Sequence, residues 1–553
     1  MLKHVTLFAI LASVSQVAAA QVDAGSQIRQ LPSAPERPPA ELDLPTLQGA
    51  PLAPAEDTGP SVNVNRLELT GNTLFPEAEL IAASGFTPGA SLNLAQLRAL
   101  AAEITAYYNA RGYFLAQAYL PAQNVSSGTV TITVAEARYD QITIENSSRL
   151  GSNVAQGIVS GLGSGDVVSA APLERRLLLL SDLPGVIVRS TLSPGTTAGT
   201  SNLNIAVLPG RRVTGSIEAD NGGNRYTGTY RFGGTVNFEN PAGIGDRLSV
   251  RAIASTGDLA FGRVAYQVPV GAATIGAAFS HLTYGLGREF NNLDADGTAN
   301  IASLFGSYPL IRSRHANLYA LASADANWFT DRIGVLSTRS KKRTQAGTLG
   351  LAGEAQDRFA GGGWTTGSIG WRMGNLDLLS PVDLAADALA GRTDGSFSIV
   401  QFALSREQVI AGPLTLFGAV RGQLAFDNLG SSEKMGLGGA YGVRAYPEGE
   451  GYGDEGYIGT AEARLSLAGM TGSFPGNFQL IGFADYGRIS FASDPWLPGS
   501  NHAERSGYGG GINWFGPEGF SLRASYATRF GNQPVTSQPD DSGRFWLQAV
   551  KLF

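Results

Sequence analysis

Cysteine is absent from this 553-residue chain, so neither disulfides nor thiolate metal sites can form. No stretch approaches the roughly 18 consecutive apolar residues that a membrane-crossing helix needs. Charge is sparse, at 16% of residues, and its balance is −6, which argues against a nucleic-acid partner. Histidine is scarcer still. After His4 only His281, His315 and His502 occur, and they are far apart. No Gly-x-Ser-x-Gly, His-Glu-x-x-His or Walker loop accompanies them. The expectation is a protein without catalytic activity, cofactor or metal. The acidic, Gly-rich stretch Glu448 to Glu455 lacks the ligand spacing of an EF-hand and reads as a mobile loop.

What the chain does have is alternation. From Arg211 to Phe553 it reads as a series of short strands. Phe520, Leu522, Ala524, Tyr526 and Phe530 share one face of such a strand, and Ser521, Arg523, Ser525 and Arg529 share the other. Side chains alternate with period two along a strand, so one face suits lipid and the other water. Sixteen strands are predicted, beginning near 213, 228, 246, 259, 272, 299, 315, 344, 361, 395, 413, 457, 478, 505, 519 and 543. Odd-numbered connections are the longer ones, such as 286–298, 330–343, 373–394, 428–456 and 531–542. Even-numbered ones are tight, as at Gly271 and Ala411-Gly412. Short periplasmic turns and long external loops characterise outer-membrane barrels, and the even count leaves both chain ends on the periplasmic side; a soluble sandwich explains neither asymmetry. All six Trp (328, 364, 371, 496, 514, 546) lie in this region, which interfacial girdles would explain, though Trp also favours ordinary strands.

The N-terminal part divides in three. Lys3 and His4, the apolar run Val5 to Val17 and Ala18-Ala19-Ala20 make a secretory signal peptide over 1–20. Residue 21 is Gln, not Cys, so no lipoprotein anchor is expected. Residues 21–60 carry Pro32, Pro35, Pro38, Pro39, Pro45, Pro51, Pro54 and Pro60. They are predicted to be a poorly ordered linker, with one short helical stretch near Ala40 to Leu47. Residues 61–137 and 138–208 read as two β-α-α-β-β units, the longest helix running from Ala95 to Arg111 and stopping at Gly112. The fold class is therefore α+β repeats followed by an all-β transmembrane barrel over 209–553.

Two motifs stand in the barrel. The connection after strand eleven contains Gly438-Gly-Ala-Tyr-Gly-Val-Arg-Ala-Tyr446, and strand thirteen contains Phe483-Ala-Asp-Tyr-Gly487. With Asp220-Asn-Gly-Gly and Asn240-Pro-Ala-Gly-Ile-Gly-Asp246 at the barrel start, the chain resembles the TpsB transporters of two-partner secretion, the FhaC- and ShlB-like proteins. The family's Val-Arg-Gly-Tyr/Phe motif matches Val443, Arg444, Ala445 and Tyr446, with Ala445 where the family has Gly. Its Phe-x-Asp-x-Gly motif matches Phe483, Asp485 and Gly487. The two N-terminal units are similar to paired POTRA domains.

The resemblance implies an outer-membrane pore with its POTRA-like domains in the periplasm. It implies a large secreted passenger, a TpsA-like adhesin or haemolysin, as partner, alongside outer-membrane lipids. It also implies that the long loop folds back into the lumen and sets its Arg beside the strand-thirteen Asp. A planar donor fork facing two carboxylate oxygens suits that pairing. If position 445 requires positive φ, its Ala costs about 1 kcal/mol. The alternative is a BamA-like assembly factor, to which three or five POTRA-like repeats are better suited than two.

Overall fold

The computed structural model describes residues 23–35, 59–468 and 474–553. The signal-peptide segment and the Ala40 to Leu47 stretch lie outside the described residues.

Two small α+β units come first. In the first, Arg66–Thr70 pairs in parallel with Thr129–Ala135, which pairs antiparallel with Gln117–Tyr119. Helices Glu77–Ser84 and Leu94–Ala110 cover this sheet. The second helix starts where its sequence dictates. Asn93 accepts from the Gln96 N–H while the Gln96 side chain accepts from the Asn93 N–H, a reciprocal cap. Gly112, at φ +90°, ends it. Leu97, Ala101, Ile104 and Tyr108 form its buried stripe against Val130, Ile132 and Val134. The second unit repeats the plan with Arg138–Asn146, Ser152–Val159, Ala170–Ser181, Val186–Pro194 and Thr200–Pro209. Its parallel pair is again the first and last strand.

The rest is a closed barrel of sixteen antiparallel strands, Val213–Asp220 to Gly543–Leu552. The last strand meets the first from Gln548 opposite Asp220 to Leu552 opposite Ser216, so no edge remains. Strand starts fall within a few residues of those read from alternation. The seventh connection differs most. Strands Ala316–Ile333 and Thr338–Asp357 extend their ladder to a turn at 334–337, where a longer loop was expected. Polar and charged residues from Asp331 to Thr344 hid that strand, because near the outer rim both of its faces carry polar side chains, among them Lys342 and the buried Thr344. On strand fifteen (Phe520–Arg529), Phe520 and Tyr526 are exposed outward, as is Phe530 just past its end, whereas Ala527 on the Arg523/Arg529 face is buried in the lumen.

The second α+β unit grips the end of strand six (Ala295–Arg312), just before the turn to strand seven (Ala316–Ile333). Asp182 takes two bonds from Arg312, at 2.8 and 2.7 Å, and Arg175 donates to the Pro309 and Leu310 carbonyls. This contact marks the periplasmic end of the barrel.

One expectation fails at the N-terminus. Residues Ala24–Arg29 form a helix that lies inside the barrel, against Leu259, Leu282, Tyr284, Ala299 and Phe329. Asp23 caps it reciprocally with Ser26, and its carboxylate pairs with Lys342 of strand eight. The chain then follows the wall, with Arg231 donating to the Gln30 carbonyl and Arg251 to that of Pro32. Six residues are too few for a helix to hold in water. Burial supplies the stability, and local sequence does not report that burial.

Candidate functional site in the barrel lumen

The connection between strands eleven (Leu414–Ala425) and twelve (Glu455–Ser466) turns inward and fills the lumen. Its two arms pair at Met435–Gly436 and Tyr452–Gly453. Its base is tied by Gln423, which donates to the Glu433 and Asp454 carbonyls. Lys434 reaches Asp454 at 2.5 Å, and Glu433 pairs with Arg372 of strand nine at 2.9 Å. Glu450 accepts from Arg505 at 2.7 Å and from the N–H and hydroxyl of both Thr536 and Ser537. Glu450 and Asp454 are fully buried. The stretch expected to be a mobile loop is thus bolted down, because lumenal cations and a neighbouring loop supply its carboxylates with donors.

At the tip, Leu437, Val443, Ala445 and Tyr446 are buried with Ile458, Phe483, Ile489 and Ala527 of the wall. Apolar packing brings the tip to strand thirteen (Asn477–Ser490), and there Arg444 finds its partners. Its Nε lies 2.8 Å from Asp485 Oδ2 and its Nη2 2.7 Å from Oδ1, a bidentate fork. Its backbone N–H also donates to Asp485, at 3.2 Å. Its Nη1 reaches Glu462 of strand twelve at 2.7 Å. The guanidinium sits over the Phe483 ring, 3.4 Å from its centre, where the ring quadrupole favours a cation. Thr460, directly opposite Asp485 across the ladder, donates to Oδ1 at 2.9 Å. Trp546 Nε1 donates to the Arg444 carbonyl at 2.7 Å, and the Tyr446 hydroxyl donates to the Gln533 carbonyl.

Two small-residue positions of the motifs have steric explanations. A Cβ on Gly487 would stand 2.6 Å from Leu437 and 3.0 Å from Val443, so the motif glycine clears the floor on which the tip rests. Ala445 is not among the residues with positive φ, so its backbone is ordinary and no left-handed strain arises. Its methyl instead faces Gly507 of strand fourteen (His502–Phe515), where a second Cβ would approach within 2.4 Å. Gly507 leaves the room that Ala445 occupies.

All seven motif residues meet at one place. Reasoning from motifs missed Glu462, Thr460, Trp546 and the Glu450–Arg505 pair. Glu462 and Arg464 stand two apart in strand twelve and pair at 2.8 Å, so period-two spacing was a signal for lumenal charge. Trp546, grouped by sequence with the girdle tryptophans, instead turns into the lumen and is buried, because its indole N–H finds the Arg444 carbonyl there. Below the tip lies a cavity of about 860 Å³, lined among others by Arg421, Arg464, Arg523, Tyr441 and Glu354. The lumen is thus obstructed by the loop on one side and the N-terminal helix on the other.

Residues 199–513 match the family of haemolysin secretion/activation proteins ShlB/FhaC/HecB. The chain belongs to that family. Residues 62–137 match the ShlB-type POTRA domain. The heme/hemopexin transporter protein HuxB of Haemophilus influenzae is 27% identical over 473 residues, 84% of this chain and 82% of that protein. The outer membrane transporter CdiB of Escherichia coli is 32% identical over 206 residues, 37% of this chain and 35% of its own. Among solved structures, CdiB from Escherichia coli superposes with a TM-score of 0.70 at 20% identity, covering 98% of this chain and 96% of that one. BamA from Haemophilus ducreyi lacking POTRA domains 1–3 gives 0.53 at 14% identity, over 89% of this chain and all of that one, a likeness of fold alone. The protein is an outer-membrane transporter of two-partner secretion, with its POTRA-like units in the periplasm.

Proposed function

We propose that this transporter secretes one large partner polypeptide, an adhesin or haemolysin by class, which reaches the periplasm unfolded. The two POTRA-like units capture it. Their small sheets have strand edges beside helices, which suits pairing with an extended segment through backbone bonds. The passenger then threads the lumen and folds outside, and that folding supplies the direction of transport. For this to happen the N-terminal helix must leave its seat, while the loop tip keeps the wall-side position in which Arg444 holds it.

The observation that carries this reading is the Arg444 fork on Asp485 inside a lumen otherwise closed by a six-residue helix. The helix is only six residues long and is tied to the wall by side chains such as Lys342, Arg231 and Arg251. The loop has a strand pair of its own, so the helix is the easier of the two obstructions to displace. The test is co-expression with a large secreted protein encoded next to this chain. Its appearance at the cell surface is expected to require this transporter. Surface delivery at the same level without the transporter refutes the assignment.

A further inference from the structure

A different constellation occupies the outward face of strands seven to nine, at the end far from the periplasmic units. The turn at 334–337 joins strands seven and eight there. Parity along strand eight is fixed by Lys342, which meets Asp23 in the lumen. Arg339, Lys341 and Arg343 therefore point outward. Further down the same face are Leu349 and Leu351, 60% and 41% exposed on the barrel's outer surface. Between lies Gln345 beside Asn375 of strand nine (Gly363–Leu378), the first polar pair above the apolar belt. Trp328 stands opposite Arg343 and Trp371 opposite Leu349, and both rings are exposed, as interfacial anchors are.

The cations of this rim are not alike. Arg343 pairs with Asp377 at 2.6 Å, and Arg332 pairs with Asp294 and Asp296. On the far side of the barrel Arg488 pairs with Glu504. Among the described residues no carboxylate stands within ion-pair distance of Arg339 or Lys341, and both are exposed. Beside them the surface is apolar. Leu379, whose N–H donates to the Lys341 carbonyl, is 54% exposed. Ser380 accepts from the Lys341 N–H and donates to the Arg339 carbonyl, fixing the start of helix Pro381–Ala388. Two free cations with exposed apolar neighbours, one step above a tryptophan, match the level where acyl chains end and headgroups begin.

We infer that Arg339 and Lys341, flanked by Trp328 and Leu379, bind the phosphate of a phosphorylated glycolipid of the outer leaflet, of the lipid A class. The Arg339 fork suits two phosphate oxygens, and Lys341 adds a point charge. Leu379 and Trp328 lie against the first carbons of the acyl chains. The site rests on the barrel's orientation and not on any step of secretion.

The test is native mass spectrometry of the full chain in detergent, titrated with lipid A, with dephosphorylated lipid A and with inorganic phosphate. Wild type is expected to retain lipid A. The double variant Arg339→Gln with Lys341→Gln is expected to bind it about twenty- to thirtyfold more weakly, roughly fivefold for each cation lost. Arg488→Gln, on the paired far side, is expected to bind as wild type does. Migration as a folded barrel in unheated gels establishes that each variant is intact. Undiminished binding by the double variant overturns the site, as does equal binding of dephosphorylated lipid. Inorganic phosphate binding as tightly as lipid A overturns the lipid as its occupant.

Discussion

Replacing Arg444 with Ala removes the fork but leaves what it served. Asp485, with a fully buried side chain, keeps the Thr460 hydroxyl as its remaining side-chain donor. Glu462 keeps Arg464 at 2.8 Å. The variant therefore strands one carboxylate rather than two. Breaking a buried pair by deleting one partner costs about 3–5 kcal/mol, against about 0–1 kcal/mol for an exposed pair. Loss of the Phe483 contact adds to this. At roughly 1.4 kcal/mol per tenfold, the docked loop loses at least about a hundredfold in population relative to undocked forms. The barrel ladder does not run through the loop, so insertion and heat-modifiable migration are expected to persist. Passenger at the cell surface is expected to disappear, and protease added from outside should begin to cut within 437–450. Arg444→Lys is expected to fail in large part, because an ammonium offers no planar fork. Asp485→Asn is expected to be milder, since Arg444 keeps Glu462 at 2.7 Å and no buried carboxylate is left alone. Normal secretion by Arg444→Ala, with the loop protected as in wild type, refutes the argument.

Three further outcomes follow from the same geometry. Gly507→Ala places two methyl carbons about 2.4 Å apart and is expected to cut secretion, whereas adding Ala445→Gly is expected to restore much of it; no rescue in the double variant shows that the clash lies elsewhere. Deleting residues 21–35 removes the lumenal helix and the Asp23 that anchors it to Lys342, so single-channel conductance in planar bilayers is expected to rise severalfold, and an unchanged conductance shows that the helix does not limit the pore. In the first periplasmic unit, burial raises the Glu136 carboxyl, but bonds from Thr73, Leu74 and Tyr108 outweigh it and hold it below the usual carboxylate range. A depressed carboxylate contributes stability that is present above the unfolded value and lost as pH falls through the folded one. Limited proteolysis of the full chain is thus expected to show this unit opening as pH drops below about 4.3, the ordinary Glu value. Glu136→Gln is expected to weaken the unit at neutral pH and flatten that dependence, and an unaltered acid profile in the variant refutes the assignment.

Sequence alone determined the barrel, because period-two alternation reports which face of a strand is wet wherever one face meets lipid. It also determined the two repeats, through helical spacing such as that from Ala95 to Arg111 and stops such as Gly112, whereas the reciprocal Asn93–Gln96 cap came to light only in the structure. It marked Arg444 and Asp485 as a pair through motif resemblance. Where both faces of a strand carry polar side chains, as from Asp331 to Thr344, alternation carried no information and the strand ends were lost. Tertiary structure decided the rest. Parity says that Glu462, Trp546 and Arg505 face inward or outward, but not which residue each meets across the lumen; that depends on how the ladder closes and where the loop descends. The Ala445–Gly507 exchange joins residues from a loop and a strand that only packing brings within van der Waals reach. The helix at Ala24–Arg29 exists because the barrel wall buries it, and a six-residue segment carries too few local contacts to announce that on its own.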